Sequence, residues 1–168
     1  ELAREQYVTD TFLETVPDRI YFKDCQGRIT RANKAHALRL GLSDPREELG
    51  KTDFDFFPHE AAQVRYHEEQ EIIRTGQAQI NKEVVDTGPD GNTIWSLVIK
   101  MPLRNECGEI IGTFGISRDI TALKLAEQEL VQYRDHLAEL VKERTTDLSR
   151  SNARLRDEVV ERTRIEQA

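Results

Sequence analysis

The chain has 168 residues, of which 33% are charged and 38% are hydrophobic, so we expect one domain with an extension. Its net charge is -7 at pH 7, and because phosphate binding requires a basic face, this charge predicts that nucleic acid is not a partner. No apolar run approaches transmembrane length and no signal peptide is recognisable, so we expect a cytoplasmic location and no membrane contact from this segment. The sequence begins at Glu1 rather than at a methionine and stops within a helical pattern, from which we expect a fragment of a longer protein.

The first half of the chain predicts a hairpin among several helices. Gly27 lies in a turn between two short strand-like stretches, which is typical of a hairpin. Asn33 is suited to cap the helix that follows, and Gly41 ends that helix. In chain order, the predicted elements are a helix over residues 1–14, strands over 20–23 and 28–31, a helix over 34–40, an irregular or single-turn stretch over 51–60, and a helix over 58–75.

The second half predicts three consecutive strands, over residues 79–86, 93–101 and 109–117, separated by turns rich in glycine, asparagine and aspartate. After the N-terminal helix, the order of elements is β-β-α-α-α-β-β-β. This order predicts an α+β fold, in which a five-stranded antiparallel sheet carries helices on one face and is flanked by an N-terminal helix and a long C-terminal helix.

The last third of the chain predicts one long amphipathic helix, because residues 121–168 lack glycine and proline and their apolar residues recur in steps of three and four. Such a stripe is buried only against another chain or domain, so we expect a parallel homodimer through a coiled coil. Two steps of four between Leu137 and Thr145 shift the heptad register, and Asn152 in the core favours a two-stranded state. The predicted core positions are Leu130, Leu137, Val141, Leu148, Asn152, Leu155 and Val159.

A series of short motifs, in order and at family spacing, resembles a PAS sensor domain. The matching pieces are residues 24–29, Asn33, and residues 56–58, 72–76, 90–95, 102–104, 108–112 and 119–121. The resemblance implies an N-terminal amphipathic helix over 1–16, a PAS domain over 12–121 and a coiled-coil signalling helix over 122–168. Residues 133–168 are similar to the linkers that join such sensors to histidine kinases, diguanylate cyclases or further PAS domains.

The resemblance implies a sensory module of a bacterial signalling protein, such as a two-component system. A small ligand or cofactor would bind between sheet and helices, and its binding would act through the junction of Asp119 and Thr121 on the coiled coil and on an effector domain in the same chain. In the family, the threonine at this junction caps the helix and the aspartate ties it to the domain. The sequence carries no phosphate loop, metal-binding histidine pair or nucleophile elbow, so we expect a non-catalytic segment. A ligand-free dimerisation or adaptor module and a heme-based gas or redox sensor are the alternatives.

The resemblance also implies which side chains line the ligand site. Alternate residues of the last two strands face the helices, and this inward set is polar, which favours a small polar or anionic ligand over a lipid. The predicted ligand-binding residues are Tyr21, Asn33, Ser96, Val98, Lys100, Thr113 and Ser117. Periodicity alone favours burial of the more apolar opposite face, and the two interpretations agree if the N-terminal helix or a dimer partner covers that face.

The cofactor is unknown from the sequence, and heme or flavin fits less well than a small polar ligand. A heme would need a histidine on the helix over 58–75, where His67 lies at a suitable distance before Gly76. A lone histidine among charged residues is more often part of a polar helix surface. A flavin that forms a photochemical adduct needs a cysteine, and residues 50–57 contain none, whereas a noncovalent flavin stays open. No metal ligand other than His67 is suggested.

Both cysteines lie in predicted turns, Cys25 in the first hairpin and Cys107 between the last two strands. In a PAS sheet the first and last strands are neighbours, so a disulfide switch between the two turns is one interpretation. The other is a pair of unrelated, reduced and exposed thiols, as is usual in the cytosol.

Overall fold

The computed structural model describes the backbone of residues 2–88 and 90–166 and the side chains of residues 4–88 and 90–165. The chain forms two compact units, Glu1–Ala122 and Leu123–Ala168. The helices are α1 (Leu2–Thr15), α2 (Lys34–Arg39), α3 (His59–Thr75) and α4 (Thr121–Glu166), with short 3-10 turns at Pro45–Glu48 and Asp53–Asp55. The strands are β1 (Arg19–Asp24), β2 (Ile29–Ala32), β3 (Gln79–Thr87), β4 (Thr93–Arg104) and β5 (Ile110–Asp119).

The strands form one antiparallel five-stranded sheet in the order β2-β1-β5-β4-β3. The first and last strands of the chain are neighbours, with Arg19 opposite Ser117 and Tyr21 opposite Gly115. Helix α2 contacts β1, and α3 contacts β4 and β5. This architecture confirms the α+β fold and the PAS sheet predicted from the sequence.

The inner face of the sheet is the polar one. On β4, Ser96, Val98 and Lys100 are buried, whereas the alternate and more apolar residues are only half-buried or exposed. A buried ammonium group is stable only when it is paired, and Lys100 reaches Glu68 on α3. Side-chain charge pairing across the core therefore overrides the hydrophobic periodicity of this strand.

Strand β4 continues past the proline at which the sequence pattern predicts its end. Pro102 lies within the strand, opposite Thr113 of β5, and β3 pairs with β4 only as far as Lys100. Beyond Lys100 the strand has one paired neighbour, so a residue without an N–H group is tolerated on its open side.

Helix α4 is a single helix of 46 residues, about 69 Å long at the usual rise per residue. Apolar side chains are exposed along its length, for example Leu130 (68% exposed) and Val159 (63%). All the residues predicted as coiled-coil core positions are exposed in the single chain. None of the helices in the described part of the chain combines the length and the apolar character that crossing a membrane requires.

Candidate ligand-binding site

A cavity of about 400 Å³ lies between the inner face of the sheet and the helices α2 and α3. Its volume is within the range of roughly 300–1,000 Å³ that small-molecule sites occupy. Strand β1 contributes Tyr21 and β4 contributes Val98, while Phe57 and Val64 supply apolar wall from the helical side. Charged side chains cover much of the remaining wall, so the cavity has one apolar region and two polar ends.

Five of the predicted ligand-binding residues line this cavity, namely Tyr21, Ser96, Val98, Lys100 and Ser117. The other two do not line it. Thr113 is only 1% exposed, on the same strand as Ser117, and its hydroxyl has no hydrogen-bond partner among the described residues. The amide of Asn33 is occupied by the backbone, which is the reason that it is not available to a ligand.

Asn33 acts as the N-cap of α2. Its Oδ1 accepts hydrogen bonds from the N–H groups of His36 (3.0 Å) and Ile20 (2.9 Å), and its Nδ2 donates to the carbonyl oxygen of Asp18 (2.8 Å). Such a cap satisfies N–H groups that the first turn of a helix leaves unpaired. Asn33 therefore joins β1 to α2 instead of contacting the cavity.

Tyr21 packs closely on the sheet beneath it. A Cβ atom on Gly115, its partner on β5, would lie 2.3 Å from Cζ of the tyrosine ring, so only glycine leaves room for the ring there. Burial raises the pKa of Tyr21 well above its ordinary value, and the hydroxyl stays protonated. The ring is therefore a fixed wall of the cavity.

One end of the cavity holds a chain of alternating charges. Lys23 Nζ lies 2.7 Å from Asp53 Oδ2 and 2.8 Å from Glu69 Oε1. Lys100 Nζ lies 2.9 Å from Glu68 Oε2, and Glu68 also accepts a hydrogen bond from Lys82. We call these six residues, Lys23, Asp53, Glu69, Lys100, Glu68 and Lys82, the lysine cluster.

In the lysine cluster, pairing decides the pKa shifts of Lys23 and Glu68, whereas burial raises the pKa of Glu69 above its ordinary value. Burial lowers the pKa of Lys23, but the carboxylates of Glu69 and Asp53 outweigh burial and hold it above its ordinary value. For Glu68, burial raises the pKa, and the hydrogen bonds from Lys82 and Lys100 bring it below its ordinary value. Both groups are therefore charged at neutral pH.

The other end of the cavity is lined by Arg19, Arg39 and Arg65. Arg65 Nη2 donates to both carboxylate oxygens of Asp86, at 2.6 and 2.7 Å, and its Cζ lies 4.0 Å from the centre of the Phe57 ring. The ion pairs of Arg19 with Asp119 (3.8 Å) and of Arg39 with Asp86 (3.6 Å) are longer than that of Arg65. Burial lowers the pKa of both Arg19 and Arg39. We call these three residues the arginine cluster.

Sequence reasoning did not identify the arginine cluster or Lys23. For β1 a signal was available, because Arg19 and Lys23 alternate with Tyr21 and so share its face of the strand. For Arg39 and Arg65 the sequence offers no such signal, since a charged residue on a helix is usually solvated.

His36 also lines the cavity and was not predicted. Its Nδ1 lies 2.6 Å from Oε2 of Glu48, which is fully buried, and its ring centre is 4.9 Å from that of Tyr21. His67, the predicted heme ligand, is exposed on α3, lies 3.4 Å from the side-chain amide of Gln63, and does not line the cavity. Its position does not support heme ligation in this cavity. The described residues contain no group of three or more His, Cys, Asp and Glu side chains arranged to hold a metal ion.

The junction between β5 and α4 is held by two side chains. Thr121 N donates to Asp119 Oδ1 (2.9 Å), so the aspartate supplies the cap of α4. Thr121 Oγ1 in turn accepts a hydrogen bond from the backbone N–H of Trp95 (2.9 Å), and Ile120 N donates to the carbonyl oxygen of Trp95 (2.8 Å). Asp119 therefore caps the helix and also lies 3.8 Å from Arg19 of β1, and Thr121 ties the helix to β4.

Both cysteines are free thiols. Cys25 is half-buried, with its Sγ 3.8 Å from the carbonyl oxygen of Ile110, and Cys107 is exposed. The pairing of Asp24 with Gly112 places both turns at the same end of the sheet.

Comparison with known proteins gives the following likenesses. A family model described as PAS fold (PAS_4) matches residues 13–125. The methanogenesis regulatory histidine kinase FilI of Methanothrix harundinacea is 31% identical over 137 residues, which are 82% of this chain and 15% of that protein. A diguanylate cyclase of Vibrio cholerae is 28% identical over 114 residues, which are 67% of this chain and 35% of that protein. The chain thus spans well under half the length of either relative.

Among solved structures, the Vibrio cholerae VqmA–ligand–DNA complex matches this chain with a TM-score of 0.63 and 24% identity. The matched region is 68% of this chain and 51% of that chain. A PAS domain from Colwellia psychrerythraea has a TM-score of 0.56 and 20% identity, and covers 73% of this chain and 99% of that chain. At 24% and 20% identity, the two matches show that the fold is shared and nothing further.

The VqmA complex corrects one prediction from the sequence. A protein with this fold is bound to DNA there, so the prediction that excluded nucleic acid as a partner is wrong. The net charge of -7 describes this chain alone and includes its acidic helix surface. Charge averaged over one segment does not determine what a protein with this fold binds.

Proposed function

The chain belongs to the PAS family, and from this premise we propose that it is the sensory module of a larger signalling protein. In this proposal the cavity binds a small polar molecule, and binding changes the junction at the start of α4. The change passes along a dimeric coiled coil to an effector domain. The segment itself performs no catalysis.

The single observation that carries the proposal is the cavity. A domain that served only to dimerise would gain stability by filling this space with apolar side chains. Here a volume of about 400 Å³ is kept, and its wall places buried charged groups beside an apolar surface. Polar groups that converge on an apolar pocket are typical of a ligand site.

The position of β4 supports transmission from the cavity to the helix. Ser96 lines the cavity, and its neighbour Trp95 holds Ile120 and Thr121 through backbone hydrogen bonds. A ligand that displaces this strand would therefore also displace the first residues of α4. Two arrangements of such a junction need differ by only a few kcal/mol to act as a switch.

The relatives suggest the kind of effector. One is a histidine kinase and the other a diguanylate cyclase, and in each the matching part is a fraction of the whole protein. We propose an output of this kind, with two chains joined in parallel through the exposed apolar stripe of α4. A cytoplasmic location is part of the proposal and is supported by the two free cysteines.

Native and denaturing mass spectrometry of the freshly purified chain tests the ligand. A sensor should carry extra mass under native conditions that is lost on denaturation. Val98→Phe fills the cavity and should abolish this mass, whereas Ile99→Phe, on the opposite face of β4, should retain it. If Val98→Phe carries the same extra mass as the unchanged protein at saturating ligand, the cavity is not the sensory site.

A further inference from the structure

We propose that the ligand is a small organic monocarboxylate, whose carboxylate group binds between Arg19 and Arg39 at the arginine end of the cavity. This inference rests on the proposed function and names the chemical class that the same cavity would sense. The two ends of the cavity differ in charge.

The lysine cluster is balanced within itself. Its cations and carboxylates alternate, and the ammonium group of Lys23 lies between two carboxylates at hydrogen-bond distance. Lys82 and Lys100 share Glu68, and Lys100 also lies 3.9 Å from Glu69. This end of the cavity therefore has no excess of positive charge to attract an anion.

The arginine cluster has three guanidinium groups and two ion-paired carboxylates, and the carboxylate of Glu83 also lines the cavity. Its guanidinium groups face Asp86 and Asp119. Asp18 lies near Arg19 along the chain, but Arg118 holds both of its oxygens, at 2.7 to 3.2 Å. A buried cation without a full partner is costly, so an anion of single charge would stabilise this end.

Arg19 and Arg39 have hydrogen-bond donors to spare. Arg19 Nη2 donates to Ser96 Oγ at 3.2 Å but lies 3.8 Å from Asp119 Oδ2. Arg39 Nη2 donates to the carbonyl oxygen of Thr87 at 3.2 Å and lies 3.6 Å from Asp86 Oδ2. Neither of these ion pairs is close enough to be a hydrogen bond. A guanidinium group presents five N–H donors in a planar fork that matches a carboxylate, so two such groups can bind one carboxylate firmly.

The remaining wall defines the rest of the ligand. Phe57, Val64 and Val98 form an apolar surface beside the arginine cluster, and Tyr21 closes one side. The volume of about 400 Å³ accommodates a short aliphatic or single-ring body. A nucleotide or a polyphosphate would bring several negative charges close to Asp86 and Asp119, which already lie at this end.

Arg19 also connects the ligand to the signalling helix. Its side chain lies between Ser96, on the cavity wall, and Asp119, which caps Thr121 at the start of α4. A carboxylate bound to Arg19 would compete with Asp119 for the guanidinium group. Ligand binding would thus weaken the attachment of the helix cap to β1.

The test compares acids with their neutral amides, using acetate, butyrate and benzoate against acetamide, butyramide and benzamide. Binding to the full chain is measured by calorimetry at constant ionic strength, with sodium chloride replacing each salt. Because charge-assisted hydrogen bonds contribute about 1.5–3 kcal/mol, at least one acid should bind about 10- to 100-fold more tightly than its amide. Arg19→Met should remove this preference, and Arg46→Met, an exposed arginine distant from the cavity, should preserve it.

Two results would overturn the assignment: no acid exceeds its amide in affinity, or Arg19→Met binds the acids as the unchanged protein does. If Arg19→Met does not fold, the comparison of acids with amides on the unchanged protein decides alone. A neutral molecule found by native mass spectrometry and lost in Val98→Phe would leave the sensory function intact and exclude the carboxylate. Absence of any cavity ligand would instead contradict the proposed function.

Discussion

Lys23 is an ammonium group inside the domain, 2% exposed, with Asp53 and Glu69 on either side. Each carboxylate is itself largely buried, so both depend on the ammonium group of Lys23 as a close charged partner. These buried ion pairs therefore say little about the net stability of the fold. They do constrain the positions of the three side chains, because removal of one partner leaves an uncompensated buried charge. The three side chains fix β1 against α3 and against the 3-10 turn at Asp53–Asp55.

Lys23→Met should destabilise the domain by about 3–5 kcal/mol, since it removes the cation paired with Asp53 and leaves Glu69 only the more distant Lys100, at 3.9 Å. Urea unfolding followed by circular dichroism measures the change. Lys34→Met, on the exposed surface of α2, serves as the control and should change stability by less than about 0.5 kcal/mol. Equal effects of the two substitutions would show that the buried pairing contributes little.

Glu68 predicts a dependence of stability on pH. Burial opposes its ionisation, but the hydrogen bonds from Lys82 and Lys100 keep its folded-state pKa below the ordinary value of 4.5. A carboxyl group with a lowered folded-state pKa stabilises the fold above the unfolded-state pKa, and this contribution is lost as the pH falls through the folded-state value.

Glu68→Gln should therefore lose less stability than the unchanged protein when the pH is lowered from about 6 to about 3. Melting temperatures across this range measure the difference. Glu60→Gln, an exposed glutamate of the same helix, should follow the unchanged protein. Parallel curves for all three proteins would mean that the Glu68 pairs make no net contribution.

Some residues of the cavity could be predicted from the sequence and others could not. Tyr21, Ser96 and Val98 could be placed at the cavity because strand alternation and the family resemblance agree on their face. Arg39 and Arg65 could not be placed at the cavity from the sequence. A helical arginine points inward only when another element supplies a partner, as β3 does with Asp86. The capping role of Asn33 was visible in the sequence, but its exclusion from the cavity was not, since that depends on where β1 lies.

Among the elements, α4 follows its sequence most directly, because a helix without glycine or proline needs only local hydrogen bonds. Strand β4 shows the opposite case, where tertiary pairing extends the strand through Pro102 and buries its polar face. Local patterns therefore located the elements, and long-range pairs determined their ends and orientation.

Asn152 provides a prediction about α4. Asn152→Leu should raise the melting temperature of the proposed coiled coil and broaden its oligomeric state beyond the dimer, because a polar core residue specifies register at a cost in stability. Analytical ultracentrifugation and thermal circular dichroism measure these two effects. Ser151→Leu, one position away from the proposed core, should alter neither. A variant that stays strictly dimeric at unchanged melting temperature would contradict the proposed seam.

In the whole molecule, one unit holds the cavity and the other carries the exposed apolar stripe. The apolar stripe is unusual for a monomer that functions alone, since large exposed apolar surfaces usually mark an interface. The two units therefore suggest a division between recognition and assembly.

Removal of residues 123–168 should separate these two properties. The full chain should sediment as a dimer, and residues 1–122 should sediment as a monomer that keeps its melting transition and its cavity ligand. Sedimentation velocity at matched concentrations makes the comparison. A truncated chain that remains dimeric would place the main interface on the sheet or on α1.

Helix α4 runs without interruption from Thr121 to Glu166, so its length fixes the angular position of each later side chain along the helix. An α-helix turns by about 100° per residue, so deletion of one residue from α4 would turn all side chains after the deletion by about that angle relative to those before it. Deletion of seven residues restores the face presented by a heptad. An effector joined to this helix would therefore respond to linker length periodically rather than gradually.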